Sequence, residues 1–267
     1  MEGLKNKLLL CILVGFSAVS CTEKPKEQEV TRSEQAELKS AEKSTFVIVH
    51  GAWGGSWAFR EVEMMMREKG YDVYRPSLTG QGERVHLAKY LKPDLTMHIE
   101  DVVNAILFEE LHDIILIGHS YGGMVVTGVA DSIPERIKNL VYLDAMIPFD
   151  GESVATINGR SNEEILEENP SGFWIPDWLD LEAEYPADVP HPLGTLVEPI
   201  RLSGKGRTVA SHYILTVDEG ASPESDGFYK HYQRAKDFDW PVSTFISDHN
   251  PQWSHPEALV DKFLEYK

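Results

Sequence analysis

One stretch limits what this chain can fold into. Ile114-Ile115-Leu116-Ile117 is an apolar, largely β-branched run that stops at Gly118, and Ser120 follows two residues later in Gly118-His119-Ser120-Tyr121-Gly122-Gly123. The segment from Gly122 to Ala130 is again apolar, but at helical spacing. The pattern predicts a strand, a sharp turn and a helix, with Ser120 on the turn. Such a turn holds the serine in a strained backbone conformation, and side chains at Gly118 or Gly122 would collide with the neighbouring strand and helix.

The rest of the chain alternates in the same way. Buried strands are predicted at Thr45–Val49, Tyr71–Arg75, Leu140–Asp144, His212–Val217 and Val242–Ile246. Helices are predicted over 56–69, 96–109, 226–236 and 256–266. Met64, Met65 and Met66 fall on the first of these helices and read as core contacts. Strands alternating with helices imply a mostly parallel sheet covered on both faces, an α/β fold. The alternation lapses over 148–206, where Pro, Gly, Trp and acidic residues dominate. That segment reads as a cap inserted over the carboxyl edge of the sheet, within a single domain of residues 44–267.

The beginning of the chain has another character. Lys5 and Lys7 precede an apolar core from Leu8 to Ala18, and Ala18-Val19-Ser20 has the small residues of a cleavage site. Residues 1–20 therefore read as a signal peptide. Cys21 follows directly, and Ala-Val-Ser-Cys resembles the lipobox of bacterial lipoproteins, so Cys21 is the candidate lipidation site. The alternative is an exported, soluble protein. Residues 21–43 are polar and charged and read as a flexible tether. The only two cysteines, Cys11 and Cys21, lie in this region, which leaves the domain without a disulfide or a thiol nucleophile. A formal charge of -18 argues against nucleic acid as a partner, because a phosphate backbone would be repelled.

A serine hydroxyl needs a base to become a nucleophile, and the base needs an acid to orient it. Gly-x-Ser-x-Gly between a strand and a helix resembles the nucleophile elbow of α/β-hydrolases, in which the order is serine, acid, histidine. His249 lies just past the last strand, where a loop can carry it over the elbow, and is the candidate base. His255 reads as a surface or capping residue, and His191 as a cap residue able to touch substrate. Asp218 is the preferred acid because it ends the strand before the one leading to His249. Asp144, at the end of Leu140–Leu143, and Glu219 are the alternatives. An oxyanion needs two backbone N–H donors. Tyr121, after the serine, is one. The loop His50-Gly51-Ala52-Trp53-Gly54 supplies the other, through Ala52 or else Trp53, with His50 bonding the loop backbone. Trp53, His119, Trp174 and Trp178 are candidate pocket residues; Phe173 and Tyr185 add further apolar surface. No His, Asp or Glu cluster has metal-ligand spacing, and no cofactor is expected.

Three segments together, His50–Trp57, Gly118–Gly123 and His249–Pro256, are similar to the small-esterase branch of the α/β-hydrolase superfamily, which includes plant methyl esterases, hydroxynitrile lyases and bacterial esterases. Thr79-Gly80-Gln81-Gly82-Glu83-Arg84 resembles a stretch of the bacterial members. The resemblance spans about residues 45–266. It implies Ser120 as nucleophile, His249 as base, Asp218 as acid, and Ala52 and Tyr121 as oxyanion donors. It also implies cleavage of a small, apolar carboxylic ester without a cofactor. Cyanohydrin cleavage and non-catalytic ligand binding are the alternatives. Related lyases use a lysine near the histidine, and none occurs here between Lys236 and Lys262.

Overall fold

The computed structural model describes residues 43–267. The leader at 1–20, Cys21 and the tether up to residue 42 lie outside the described residues. From its start the chain forms β1 (Thr45–Val49), α1 (Arg60–Glu68), β2 (Asp72–Tyr74) and α2 (Leu95–Phe108). Next come β3 (Ile114–His119), α3 (Gly122–Ser132) and β4 (Ile137–Leu143). A long excursion follows, with α4 (Asn162–Glu168), the two-residue strands β5 (Phe173–Trp174) and β6 (His191–Pro192), and α5 (Gly194–Val197). The chain then returns through β7 (Ala210–Val217), α6 (Tyr229–Asp237), β8 (Val242–Ile246) and α7 (Pro256–Phe263).

Six strands form one sheet in the order β2-β1-β3-β4-β7-β8, and every neighbouring pair is parallel. This is the parallel α/β sheet that the alternation of strands and helices predicts. Strand residues alternate between two apolar layers, as the two-residue period of a strand requires. Val47, Val49, Ile114 and Leu116 meet α2 and α3 on one face. Phe46, Ile48, Ile115 and Ile117 meet α1 and α7 on the other. The three methionines of α1 do not share one role: Met66 is fully buried, Met65 packs at the edge, and Met64 is 54% exposed. Consecutive residues on a helix are about 100° apart, so one apolar face cannot take all three.

Between β4 and β7 the chain leaves the sheet. Its only strand pairing there is the antiparallel β5–β6 contact of Phe173 with Pro192 and Trp174 with His191. The excursion is tied to the loop after β1, where Val189 N–H donates to Trp53 O at 2.8 Å.

Candidate active site

β3 ends at the turn anticipated from the sequence. Ser120 has φ 56°, a left-handed conformation rare for a residue with a side chain. The turn is tight enough to exclude side chains on either side. A Cβ on Gly118 would lie 2.5 Å from Val126 Cγ2, and one on Gly122 would lie 2.6 Å from Val49 O. Trp53 (φ 63°) and Asp144 (φ 44°) share this strained region. The sheet's carboxyl edge thus carries three such residues, each on a different loop, and such strain persists only where the surroundings over-determine it.

These loops converge. The Ser120 hydroxyl donates to His249 Nε2 at 3.0 Å. His249 Nδ1–H donates to Asp144 Oδ2 at 2.6 Å. Asp144 is fully buried, and its other oxygen accepts from Thr216 N–H on β7 at 3.2 Å. Asp218, the acid preferred from sequence, is not the aspartate that the structure brings to His249. It is exposed, it begins the turn in which Ala221 N–H donates to its carbonyl, and His249 makes no hydrogen bond to it. The reason is topological. Asp144 ends β4, which lies directly beside the serine-bearing β3, whereas Asp218 ends β7, one strand further away. The left-handed backbone at Asp144 turns its chain back over that edge. Met146 N–H then donates to Ser120 O at 3.0 Å, and Tyr213 OH bonds both the N–H and the carbonyl of Ala145.

The histidine is held on several sides. His119 Nε2–H donates to the His249 carbonyl at 2.8 Å, and the two rings lie 4.8 Å apart. Phe228, just before α6, stacks flat on the His249 ring, with its ring centroid 4.8 Å away and an interplanar angle of 12°. Nearby Asp226 accepts from Phe228 N–H at 2.7 Å; burial, and then the charge of Asp144, raise its carboxyl above the ordinary value. Nothing in the sequence pointed to Phe228 or Asp226, because their proximity to His249 arises only when α6 packs against the sheet.

Beneath the loop after β1, His50 Nδ1–H donates to Gly51 O, and His50 Nε2 accepts from Leu78 N–H. His98 Nε2–H donates to Thr79 O and its Nδ1 accepts from Tyr121 OH. His191 accepts Trp53 N–H through Nδ1 at 3.3 Å and donates from Nε2 to Thr195 Oγ1 at 2.7 Å, while Thr195 donates onward to Pro192 O. Trp53 N–H is thus engaged within the protein, and Ala52 lines the cavity beside Ser120. Burial lowers His50 and His98 to about 4, His119 to about 3, and His191 well below its ordinary value. These four rings are neutral hydrogen-bonding struts at neutral pH.

The cavity over Ser120 is about 140 Å³, and Trp53, His119 and Trp178 line it, together with Trp253, Gln252 and Asp188. Trp174 does not line it. It sits behind Trp53, edge-on at 6.3 Å, and its carbonyl accepts Trp53 Nε1–H at 3.2 Å. It supports the wall without facing the cavity.

A serine on a left-handed turn after the third strand, bonded to a histidine that follows the last, sits where α/β-hydrolases carry their nucleophile. The profile described as Alpha/beta hydrolase family matches residues 46–262, and the chain belongs to that family. Within it, this is a carboxylesterase-like enzyme of the small-esterase branch. It is 34% identical over 244 residues to a carbendazim hydrolyzing esterase of Nocardioides sp., covering 82% of this chain and 98% of that protein. It is 25% identical to methylesterase 3 of Arabidopsis thaliana, covering 84% of this chain and 95% of that one. An extracellular α/β-hydrolase from a Paenibacillus species superposes with a TM-score of 0.68 at 24% identity, over 84% of this chain and 98% of that chain.

Proposed function

We propose that the chain is a serine esterase that cleaves a small carboxylic ester through an acyl-enzyme, with Ser120, His249 and Asp144 as its triad. The observation that carries this reading is the unbroken relay from Ser120 Oγ through His249 to the buried Asp144 carboxylate. Ser120 Oγ attacks the ester carbonyl while His249 Nε2 takes its proton. The carbonyl oxygen becomes an oxyanion against the N–H groups of Ala52 and Tyr121. His249 then gives the proton to the departing alcohol. Water, deprotonated by the same imidazole, releases the acid and restores the serine. Asp144 holds the imidazole with Nδ1–H toward the carboxylate and stabilises the imidazolium that forms.

Relatives named as a carbendazim hydrolyzing esterase, a pyrethroid hydrolase and plant methylesterases support ester cleavage as the reaction class. The test is labelling with a fluorophosphonate, followed by assay of Ser120→Ala on short p-nitrophenyl esters. The probe should label Ser120, and the variant should lose at least about 10⁴-fold in kcat. Undiminished turnover in the variant would reject the reading.

The partner in this reading is a small-molecule ester, not nucleic acid. The leader and Ala18-Val19-Ser20-Cys21 support export and a lipid anchor on Cys21 as the point of membrane attachment. Among the described residues, no helix is long and apolar enough to cross a membrane. Mass spectrometry of the mature N-terminus is the check, and an unmodified Cys21 in protein recovered from membranes would remove the anchor.

A further inference from the structure

Some polar side chains around the Ser120 cavity have partners within the protein. His119 is bonded to the His249 carbonyl, and Gln252 Nε2 donates to Asn250 Oδ1. Asp188 is the one carboxylate in the lining. Its residue lines the cavity, is half-buried, and is held against the oxyanion loop by its neighbour Val189, whose N–H donates to Trp53 O. A Cβ built on Gly54 would lie 3.7 Å from Asp188 Oδ1, so the carboxylate stands directly beside that loop. Among the described residues, no cation or hydrogen-bond donor engages it. Burial alone acts on the group, raising its carboxyl above the ordinary value. A partly desolvated carboxylate without a partner is costly unless something else satisfies it.

The walls beside it are aromatic. Trp53 and Trp178 meet edge to face at 5.5 Å, and Trp253 lines the same cavity. The volume of about 140 Å³ is that of a cavity able to hold one benzene-sized ring. The second acceptor on the wall, Gln252 Oε1, also has no partner among the described residues. The lining therefore combines a carboxylate, an unpartnered amide oxygen and indole rings, each a group that attracts a cation or an N–H donor.

We infer that Asp188 is a specificity-determining residue that receives a cationic or N–H-donating nitrogen on a single-ring aromatic ester. This deepens the esterase reading and rests on it. It also alters the apolar substrate implied by resemblance: the ring is apolar, but the group it carries toward the oxyanion loop is a donor.

Two near-isosteric esters provide the test, methyl 4-(aminomethyl)benzoate and methyl 4-ethylbenzoate. The wild type should favour the ammonium ester by at least about tenfold in kcat/KM. That ratio should collapse toward one in Asp188→Asn and persist in Asp188→Glu. Because both esters are read on the same preparation, a general loss of folded protein cancels in the ratio. A wild-type ratio near one, or a preference that survives Asp188→Asn, overturns the inference. Binding of benzylammonium, read by tryptophan fluorescence, examines the subsite without turnover. A roughly tenfold weaker Kd in Asp188→Asn supports it and an unchanged Kd overturns it. If neither ester is cleaved and Ser120 resists the fluorophosphonate, the esterase reading fails by itself and the binding measurement alone decides on Asp188.

Discussion

Two aspartates had a claim to the histidine, and the backbone beneath each one separates them. Asp144 stands at φ 44° and is fully buried, with one oxygen toward His249 and the other toward Thr216 N–H. Asp218 is exposed at the head of a turn. Asp144→Asn should therefore lower kcat by about 10⁴-fold, since the amide favours the wrong imidazole tautomer. Asp218→Asn should stay within about twofold of wild type. Steady-state kinetics on one p-nitrophenyl ester compares them, and the opposite ranking would restore Asp218. Ser120 and His249 were legible in the sequence because each carries a local signature, the glycines of the elbow and the end of the last strand. The acid was not. Both aspartates close a buried strand, and choosing between them requires the strand order β3-β4-β7, which no local pattern encodes. Asp188 was illegible for a similar reason, since it lies in an irregular segment whose path over the sheet is set by tertiary contacts.

The strands and the long helices were readable from periodicity, because a parallel strand buried on both faces is a continuous apolar run and an amphipathic helix is a stripe. The short pieces between β4 and β7 were not, since helices of four to seven residues and strands of two show little or no period. Their contribution lies in contacts at the site. Gly123, at the start of α3, faces the backbone that follows Asp144, and a Cβ there would lie 2.1 Å from Met146 O. Gly123→Ala should force α3 and the Asp144 loop apart. A loss of about 2 kcal/mol or more in denaturant unfolding is expected, together with reduced kcat. His191→Phe keeps a ring of similar breadth but removes the acceptor for Trp53 N–H. Its kcat should fall about tenfold or more with little change in KM, because the oxyanion forms after the substrate is bound. An unchanged kcat would show that the loop holds its shape without the imidazole.

At the scale of the whole molecule, the buried histidines make acid the weak side of the fold. His50 and His98 are lowered to about 4, His119 and His231 to about 3, and His191 well below its ordinary value, all chiefly by burial. Unfolded, each would take a proton near pH 6.5. The unfolded state therefore binds more protons as the pH falls from about 6.5 toward 4, and stability is lost across that window. The raised carboxyls of Asp188 and Asp226 act in the opposite sense, but His212 and the lowered carboxyls of Asp131 and Glu152 act with the five rings. The Tm should drop by at least about 10 °C between pH 7 and pH 5, with net proton uptake on unfolding. A flat Tm over that range would mean these rings are hydrated. His191 has a further importance, because it belongs to the excursion between β4 and β7 yet holds the loop beside the serine through Trp53 N–H. The excursion is therefore not an interchangeable module. An engineer grafting this segment from another hydrolase to change its preference would also replace part of the machinery that carries out the chemistry. Such a chimera should keep its rate only if the donor segment brings its own counterparts of His191 and Thr195.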